Sequence, residues 1–254
     1  MSMEPTAQAE FQKNGYVVIN RAFDRALVPS LRNELARVHE SFPDLKAQHP
    51  LMHRLGEWSI RSPQAASTVI RDFVFSDHFA GPCKSLVGND VDLYWCATAA
   101  KPKERGKGFP WHQDAGYGGG PDEYITFWAA FDEVDEENGC LWAVPGSHLT
   151  GIQEHEFRKS DETDYGGPFI KRPYEPDATK VPILLSPGDM VCMHSKLIHA
   201  SFQNHSPRER RGLITAFVQS GEKQVFQTVG TPEITVPFIR SGRRLDSSEN
   251  TRAQ

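Results

Sequence analysis

Residues 181–203 read VPILLSPGDMVCMHSKLIHASFQ. Three short apolar runs, 181–185, 189–194 and 197–203, lie almost end to end, with the turn signal Pro187-Gly188-Asp189 between the first two. The pattern continues outward to 91–99, 109–114, 124–132 and 140–145 on one side and 212–220 on the other, with a second turn signal at Asn138-Gly139. Many short strands without intervening helices predict a β-sandwich or barrel and not a parallel sheet.

The first third of the chain reads differently. Asp24 can cap a helix in which Leu27, Leu31, Leu35, Val38 and Phe42 recur at three- and four-residue steps as one apolar stripe. Ser62-Pro63 predicts a second helix start, carrying Val69, Ile70, Phe73 and Val74. Tyr16–Ile19 reads as a strand. The expected architecture is therefore mainly β with packed helices, in one domain over 1–254, with polar tails at 1–8 and 241–254.

With 254 residues, 38% hydrophobic and 24% charged, the chain has the composition of a globular protein with a real core. A net charge of −5 and scattered basic residues give no footprint for nucleic acid. No apolar run is long enough to span a bilayer, and the N-terminal residues lack an apolar signal core, so no membrane partner is expected. The four cysteines (Cys83, Cys96, Cys140, Cys192) form no Cys-x-x-Cys pair and read as buried thiols of a reducing compartment, the cytoplasm. Residues 146–180 form a long irregular insertion, and its part from Phe157 to Lys180 holds five basic and five acidic residues, a lid of balanced charge. The acidic stretch Asp132–Glu137 lacks calcium-loop spacing and reads as an exposed hairpin end.

The chemistry concentrates in Trp111-His112-Gln113-Asp114. Residues two apart on a strand share a face, so His112 and Asp114 would look at one metal side by side. His199, 87 residues after His112, is compatible with a third ligand from a facing strand. Two imidazoles and one carboxylate suit iron(II) and leave positions open for a bidentate co-substrate and O₂. Alone, a His-x-Asp triplet is common, and a surface histidine beside a turn is the blander reading. His194 and His148 read as structural, and the glycine run at 116–120 as a flexible loop.

The triplet keeps company. Lys101-Pro102, Trp111-His112-Gln113-Asp114, Asn138-Gly139-Cys140-Leu141, Val144-Pro145-Gly146-Ser147-His148, Pro187-Gly188-Asp189 and His199-Ala200-Ser201-x-x-Asn204 follow in one order. In that order the chain resembles the phytanoyl-CoA dioxygenase family of Fe(II)/2-oxoglutarate oxygenases over about residues 10–220. The resemblance implies a double-stranded β-helix, a jelly-roll or cupin-like fold. It implies that His112, Asp114 and His199 bind iron, and that Arg210, eleven residues after His199, pairs with the 5-carboxylate of 2-oxoglutarate. A planar guanidinium suits that task because it grips a carboxylate bidentately and keeps its charge when buried. Trp128 and Thr98 match positions lining the co-substrate pocket.

The implied activity is dioxygenation of a small organic molecule, most simply hydroxylation of a C–H bond, with 2-oxoglutarate converted to succinate and CO₂. The loop between Asp114 and Trp128 is shorter than in phytanoyl-CoA hydroxylase, which points away from that substrate. Asp114 stands where halogenating members carry a small residue, which points away from halogenation. Two rival readings are a jelly-roll metal-dependent isomerase or hydrolase, and a non-catalytic ligand-binding member of the fold. An intact Arg210 weighs against the first and a complete ligand set against the second.

Overall fold

Prolines in the first turn start three helices: α1 (Pro5–Asn14), α2 (Val28–Glu40) and α3 (Phe42–Gln48). The computed structural model describes residues 3–49, 52–56, 58–104, 106–117, 120–121, 123–158, 167–171, 174, 176, 179–222, 235–246 and 249–250. Strand β1 (Tyr16–Ile19) follows α1. A hairpin, β2 (His53–Gly56) and β3 (Ser59–Arg61), and two helices, α4 (Thr68–Val74) and α5 (Asp77–Leu86), precede the main strands. These are β4 (Val91–Lys101), β5 (Phe109–His112), β6 (Ile125–Ala130) and β7 (Leu141–Ala143). After them come β8 (His155–Arg158), β9 (Gly167–Ile170), β10 (Val181–Ile183), β11 (Met190–His194) and β12 (His199–Ser201). The last are β13 (Arg210–Gln219), β14 (Val236–Arg240) and β15 (Arg243–Arg244).

Nine strands make the larger sheet, in the order β1-β11-β6-β13-β4-β14-β15, with β3 on β4 and β2 on β3. A smaller sheet, β10-β7-β12-β5, completes the jelly roll. The central pairings are antiparallel and join strands far apart in the sequence, so they are closed by crossovers and not by short hairpins. The larger sheet is buried on both faces, which is why its strands read as continuous apolar runs. On β6, Phe127 and Ala129 join Leu31, Leu35, Ile70, Phe73 and Phe79 of the helices in one core. Trp128 and Ala130 turn the other way, to a second core with Ala143, Ile183, Val191 and Leu197 between the sheets. Gly212 on β13 is required for the fit: a Cβ there would stand 2.5 Å from the Trp128 ring and 2.6 Å from the Ala129 carbonyl.

Several sequence expectations need correction. Asp24 caps only a 3-10 turn, Arg25–Leu27, and Leu27 is exposed. The stripe on α2 is Val28, Leu31, Leu35 and Val38, because that helix ends at Glu40 and Phe42, which packs on the same core, starts another helix before Pro43. Ser62 sits at φ 57° before a 3-10 turn, so the cap of α4 is Ser67, whose hydroxyl accepts from Ile70 N at 3.1 Å. Within the expected tails, α1 takes in residues 5–8, and β15 pairs with β14 and leads to the buried Leu245, while residues 1–2, 247–248 and 251–254 lie outside those described. Asp132 is buried between Arg32 (2.6 Å) and Arg211 (2.8 Å), not exposed at a hairpin end. The insertion is not wholly irregular: β8 and β9 pair within it and Phe169 is fully buried, while residues 159–166 lie outside those described, as do Gly118 and Gly119. Among the described residues, no helix is long and apolar enough to cross a membrane.

Candidate metal centre

Strands β5 and β12 pair so that His112 and His199 are direct partners. Their rings lie 4.1 Å apart, centroid to centroid. Each Nδ1 is engaged by a carbonyl two residues back: His112 by Pro110 at 2.9 Å and His199 by Leu197 at 3.0 Å. A carbonyl only accepts, so both Nδ1 atoms carry a proton, and the Nε2 atoms are the ones turned toward Asp114. Asp114 Oδ1 stands 3.6 Å from His112 Nε2 and 3.8 Å from His199 Nε2. The three donors fall within 4.8 Å of one another, and no other such cluster occurs among the described residues.

Asp114 reaches this position differently from the strand alternation expected of it. Strand β5 ends at His112, and Asp114 opens a 3-10 turn, Asp114–Tyr117. Its Oδ2 accepts from Thr126 Oγ1 at 2.8 Å, which leaves Oδ1 facing the imidazoles. Burial pushes the Asp114 carboxyl up, but the His112, His199 and Thr126 contacts together outweigh it and hold it below the usual carboxylate range. Burial, aided by the neighbouring His112, lowers His199 to about 4. A carboxylate beside a neutral imidazole is the form that binds a cation. The donor set of two imidazole nitrogens and one carboxylate therefore fits iron(II).

Arg210, the first residue of β13, lies in the same cavity as His112, Asp114, His199, Thr126 and Trp128. Its guanidinium stacks 4.8 Å over the Trp128 ring, and Nη1 donates to the Gly139 carbonyl at 2.7 Å. Its Nε is buried and has no hydrogen-bond partner. Burial lowers Arg210 to about 10, against smaller opposing effects of Cys140 and Asp132, so it is still a cation at neutral pH. A buried cation with an unused donor is matched to an anionic ligand that enters the cavity. Its neighbours are spent elsewhere: Arg208 pairs with Asp135 at 2.7 Å on the surface, and Arg211 with Asp132.

Thr98 is not brought to the site. Its Oγ1 contacts His39 Nε2 at 2.9 Å and accepts from Ile60 N at 2.9 Å, on the face of β4 toward the helices. The next residue, Ala99, lines the cavity, and strand alternation turns Thr98 away from it. His194 and His148 also stand apart. His194 Nδ1 accepts from Lys196 N at 3.1 Å, and His148 Nε2 contacts the Gln12 carbonyl at 3.2 Å.

Two buried residues of the site had no role read from sequence. Lys101, the strand partner of Arg210, donates from Nζ to Ser201 Oγ at 2.9 Å and to the Phe202 carbonyl. Thr126 was legible in principle, as the one hydroxyl inside the apolar run Ile125–Phe131. Thr126→Val keeps the shape but leaves Asp114 Oδ2 without its donor. Losing an outer partner of a metal ligand costs about 10–100-fold in affinity. We expect iron(II) to bind at least about tenfold more weakly to the variant in anaerobic titration, with its far-ultraviolet circular dichroism unchanged.

The sequence profile of the phytanoyl-CoA dioxygenase (PhyH) family matches residues 11–212. A phytanoyl-CoA dioxygenase 1 of Oryza sativa subsp. japonica is 37% identical over 93 residues, covering 37% of this chain and about a third (32%) of that protein's length. A probable phytanoyl-CoA dioxygenase of Caenorhabditis elegans is 27% identical over 252 residues, covering 89% of this chain and 78% of that one. The fold is shared with the epimerase SnoN, solved with Fe³⁺, alpha-ketoglutarate and nogalamycin RO. The TM-score is 0.68 at 20% identity, over 95% of each chain.

Proposed function

The chain belongs to the phytanoyl-CoA dioxygenase family, and from that premise we propose that it is an iron(II)- and 2-oxoglutarate-dependent dioxygenase that oxidises a C–H bond of a small organic molecule. One observation carries the reading: the buried Arg210, with an unused Nε, shares a cavity with the His112, Asp114 and His199 donors. His112, Asp114 and His199 would hold iron(II), and Arg210 would hold the far carboxylate of 2-oxoglutarate. When bound, these groups supply oxidising power from O₂ as 2-oxoglutarate is converted to succinate and CO₂, and hydroxylation of the substrate is the outcome we favour.

The protein's own part is placement and exclusion. Thr126 fixes which Asp114 oxygen faces the histidines, and the two carbonyl contacts fix both imidazole tautomers. Trp128 supports the guanidinium plane from one side. Trp58, Trp95 and Phe109 line the same cavity, and such aromatic walls keep water from the reacting centre and receive an apolar portion of the substrate. Arg210 favours this reading over a metal-dependent isomerase or hydrolase, which has no use for a carboxylate anchor at that point. Four buried cysteines without a disulfide support placement in the cytoplasm.

An anaerobic Fe(II) titration, with and without 2-oxoglutarate, tests the proposal. The expected result is a weak visible charge-transfer band that needs both components and is lost in His199→Ala. Stoichiometric metal binding with no band in the wild-type protein would remove the 2-oxoglutarate reading.

A further inference from the structure

Gln113 stands between two of the proposed metal ligands, and its side chain is completely buried on the side away from them. Its Nε2 donates to two carbonyls, Gly151 at 2.9 Å and Lys196 at 2.7 Å. Its Oε1 accepts from Gln153 N at 2.7 Å. These partners fix the amide orientation, because carbonyls only accept and a backbone N–H only donates. Its own backbone N–H donates to His155 Nε2 at 3.1 Å, while His155 Nδ1 is engaged by the Gln153 carbonyl at 2.7 Å. Carbonyl contact at Nδ1 places the proton there and leaves Nε2 as the acceptor.

One side chain thus joins three elements. The first is the end of β5 that carries His112 and the turn that starts at Asp114. The second is the 195–197 turn that leads to His199. The third is the base of the insertion, residues 151–155, from which β8 begins. The hairpin formed by β8 and β9 also lies on β5: the Phe169 ring packs edge-on against Phe109 at 5.0 Å and lies 6.5 Å from His112. Phe169 and Ile170 of this hairpin belong to neither of the two cores described above. These contacts bear on how closely His112 and Asp114 converge.

We propose that Gln113 and His155 form a latch that links docking of the insertion hairpin to metal binding. The inference rests on the proposed iron site. With the hairpin seated, Gln113 is held on both sides and the two flanking ligands are pre-set to share an ion. With the hairpin lifted, the buried amide loses two of its three partners and the backbone N–H of Gln113 loses its acceptor. The segment between the ligands is then free to relax, and the ion is held less tightly. Linkage makes the relation reciprocal: whatever factor docking adds to metal affinity, bound metal adds to the stability of docking. Gln113 and His155 are positioning residues in this scheme. They touch neither the ion nor the substrate.

The test uses the full chain and Fe(II) alone, added anaerobically, without 2-oxoglutarate or substrate. Amide hydrogen exchange of residues 151–157 is followed with and without saturating metal, and metal affinity is measured for wild type, Gln113→Leu and His155→Ala. We expect Fe(II) to slow exchange in 151–157 by about tenfold in the wild type, the lower end of the effect of outer partners on metal affinity. We expect both variants to bind Fe(II) about tenfold more weakly and to show no metal-dependent slowing there. A merely structural role would speed exchange equally with and without metal. The wild-type measurement stands even if a variant fails to fold. Wild-type protein that binds Fe(II) with no change in 151–157, or variants that keep wild-type affinity, overturns the latch alone. Wild-type protein that binds no Fe(II) overturns the iron site and the latch with it.

Discussion

Asp114→Ala is expected to abolish iron(II) binding and, with it, succinate formation. Asp114 is the one anionic donor of the three, and its Oδ1 lies 3.6 Å and 3.8 Å from the two Nε2 atoms. Removing it leaves two imidazoles, a pair that offers a divalent ion neither negative charge nor a third point of attachment. The loss should exceed the roughly 10–100-fold that an outer partner is worth. Alanine also strands the Thr126 hydroxyl, at about 1–3 kcal/mol for an unsatisfied buried group. Asp114→Asn therefore separates charge from stability, since it keeps the shape and an oxygen for Thr126. We expect the Asp114→Asn variant to melt within a few degrees of the metal-free wild type and to gain nothing from added Fe(II). The wild type should gain stability from Fe(II) as any ligand of the native state provides it. Wild-type iron affinity in Asp114→Ala would remove Asp114 from the site. Protons should compete with metal at His199 only as pH falls toward about 4, because burial keeps that imidazole neutral above it.

The sequence is most legible where a feature depends on local spacing. Tyr16–Ile19 is a strand with those bounds, and the candidate strands from 91 to 220 each overlap an observed one. Turn residues and apolar runs are short-range signals, and they mark where strands lie to within a few residues. It is least legible where tertiary contact decides. Thr98 and Ala99 are adjacent, and only the registration of β4 against β13 and β3 determines which faces the cavity. Asp132 reads as part of an acidic loop, yet two arginines from distant segments, Arg32 and Arg211, bury it. Gln113 shows the same limit inside the site. Its neighbours announce a metal pair, but its own partners lie 38 to 83 residues away. The hairpin of β8 and β9 escapes a sequence reading because its strands, HEFR and GPFI, are four residues each and carry no alternating apolar pattern.

Replacing Arg210 by methionine should produce effects of opposite sign on stability and on co-substrate use. Methionine fills much the same volume beside Trp128 but carries no charge. The guanidinium is buried, and burial lowers its pKa to about 10. A base with a depressed folded-state pKa is one whose cation the native protein disfavours, and that penalty is present at every pH below about 10. Arg210→Met relieves it, at the cost of the hydrogen bond to the Gly139 carbonyl. The variant without ligand should melt no lower than the wild type. A net gain of about 1 kcal/mol would appear as roughly 2–4 °C in a chain of this size. The dicarboxylate reverses the comparison. In the wild type its far carboxylate meets the guanidinium, including the unpartnered Nε, out of bulk water. In the variant the same carboxylate is desolvated with no cation to receive it, a loss of about 2–5 kcal/mol, or roughly 30- to 5,000-fold in affinity. Saturating 2-oxoglutarate should therefore raise the melting temperature of metal-loaded wild type and leave that of the variant unchanged. Arg210→Lys should fall between the two, since an ammonium restores charge without the planar pair of donors. Equal 2-oxoglutarate affinities in wild type and Arg210→Met would exclude Arg210 as the anchor, whatever the stabilities.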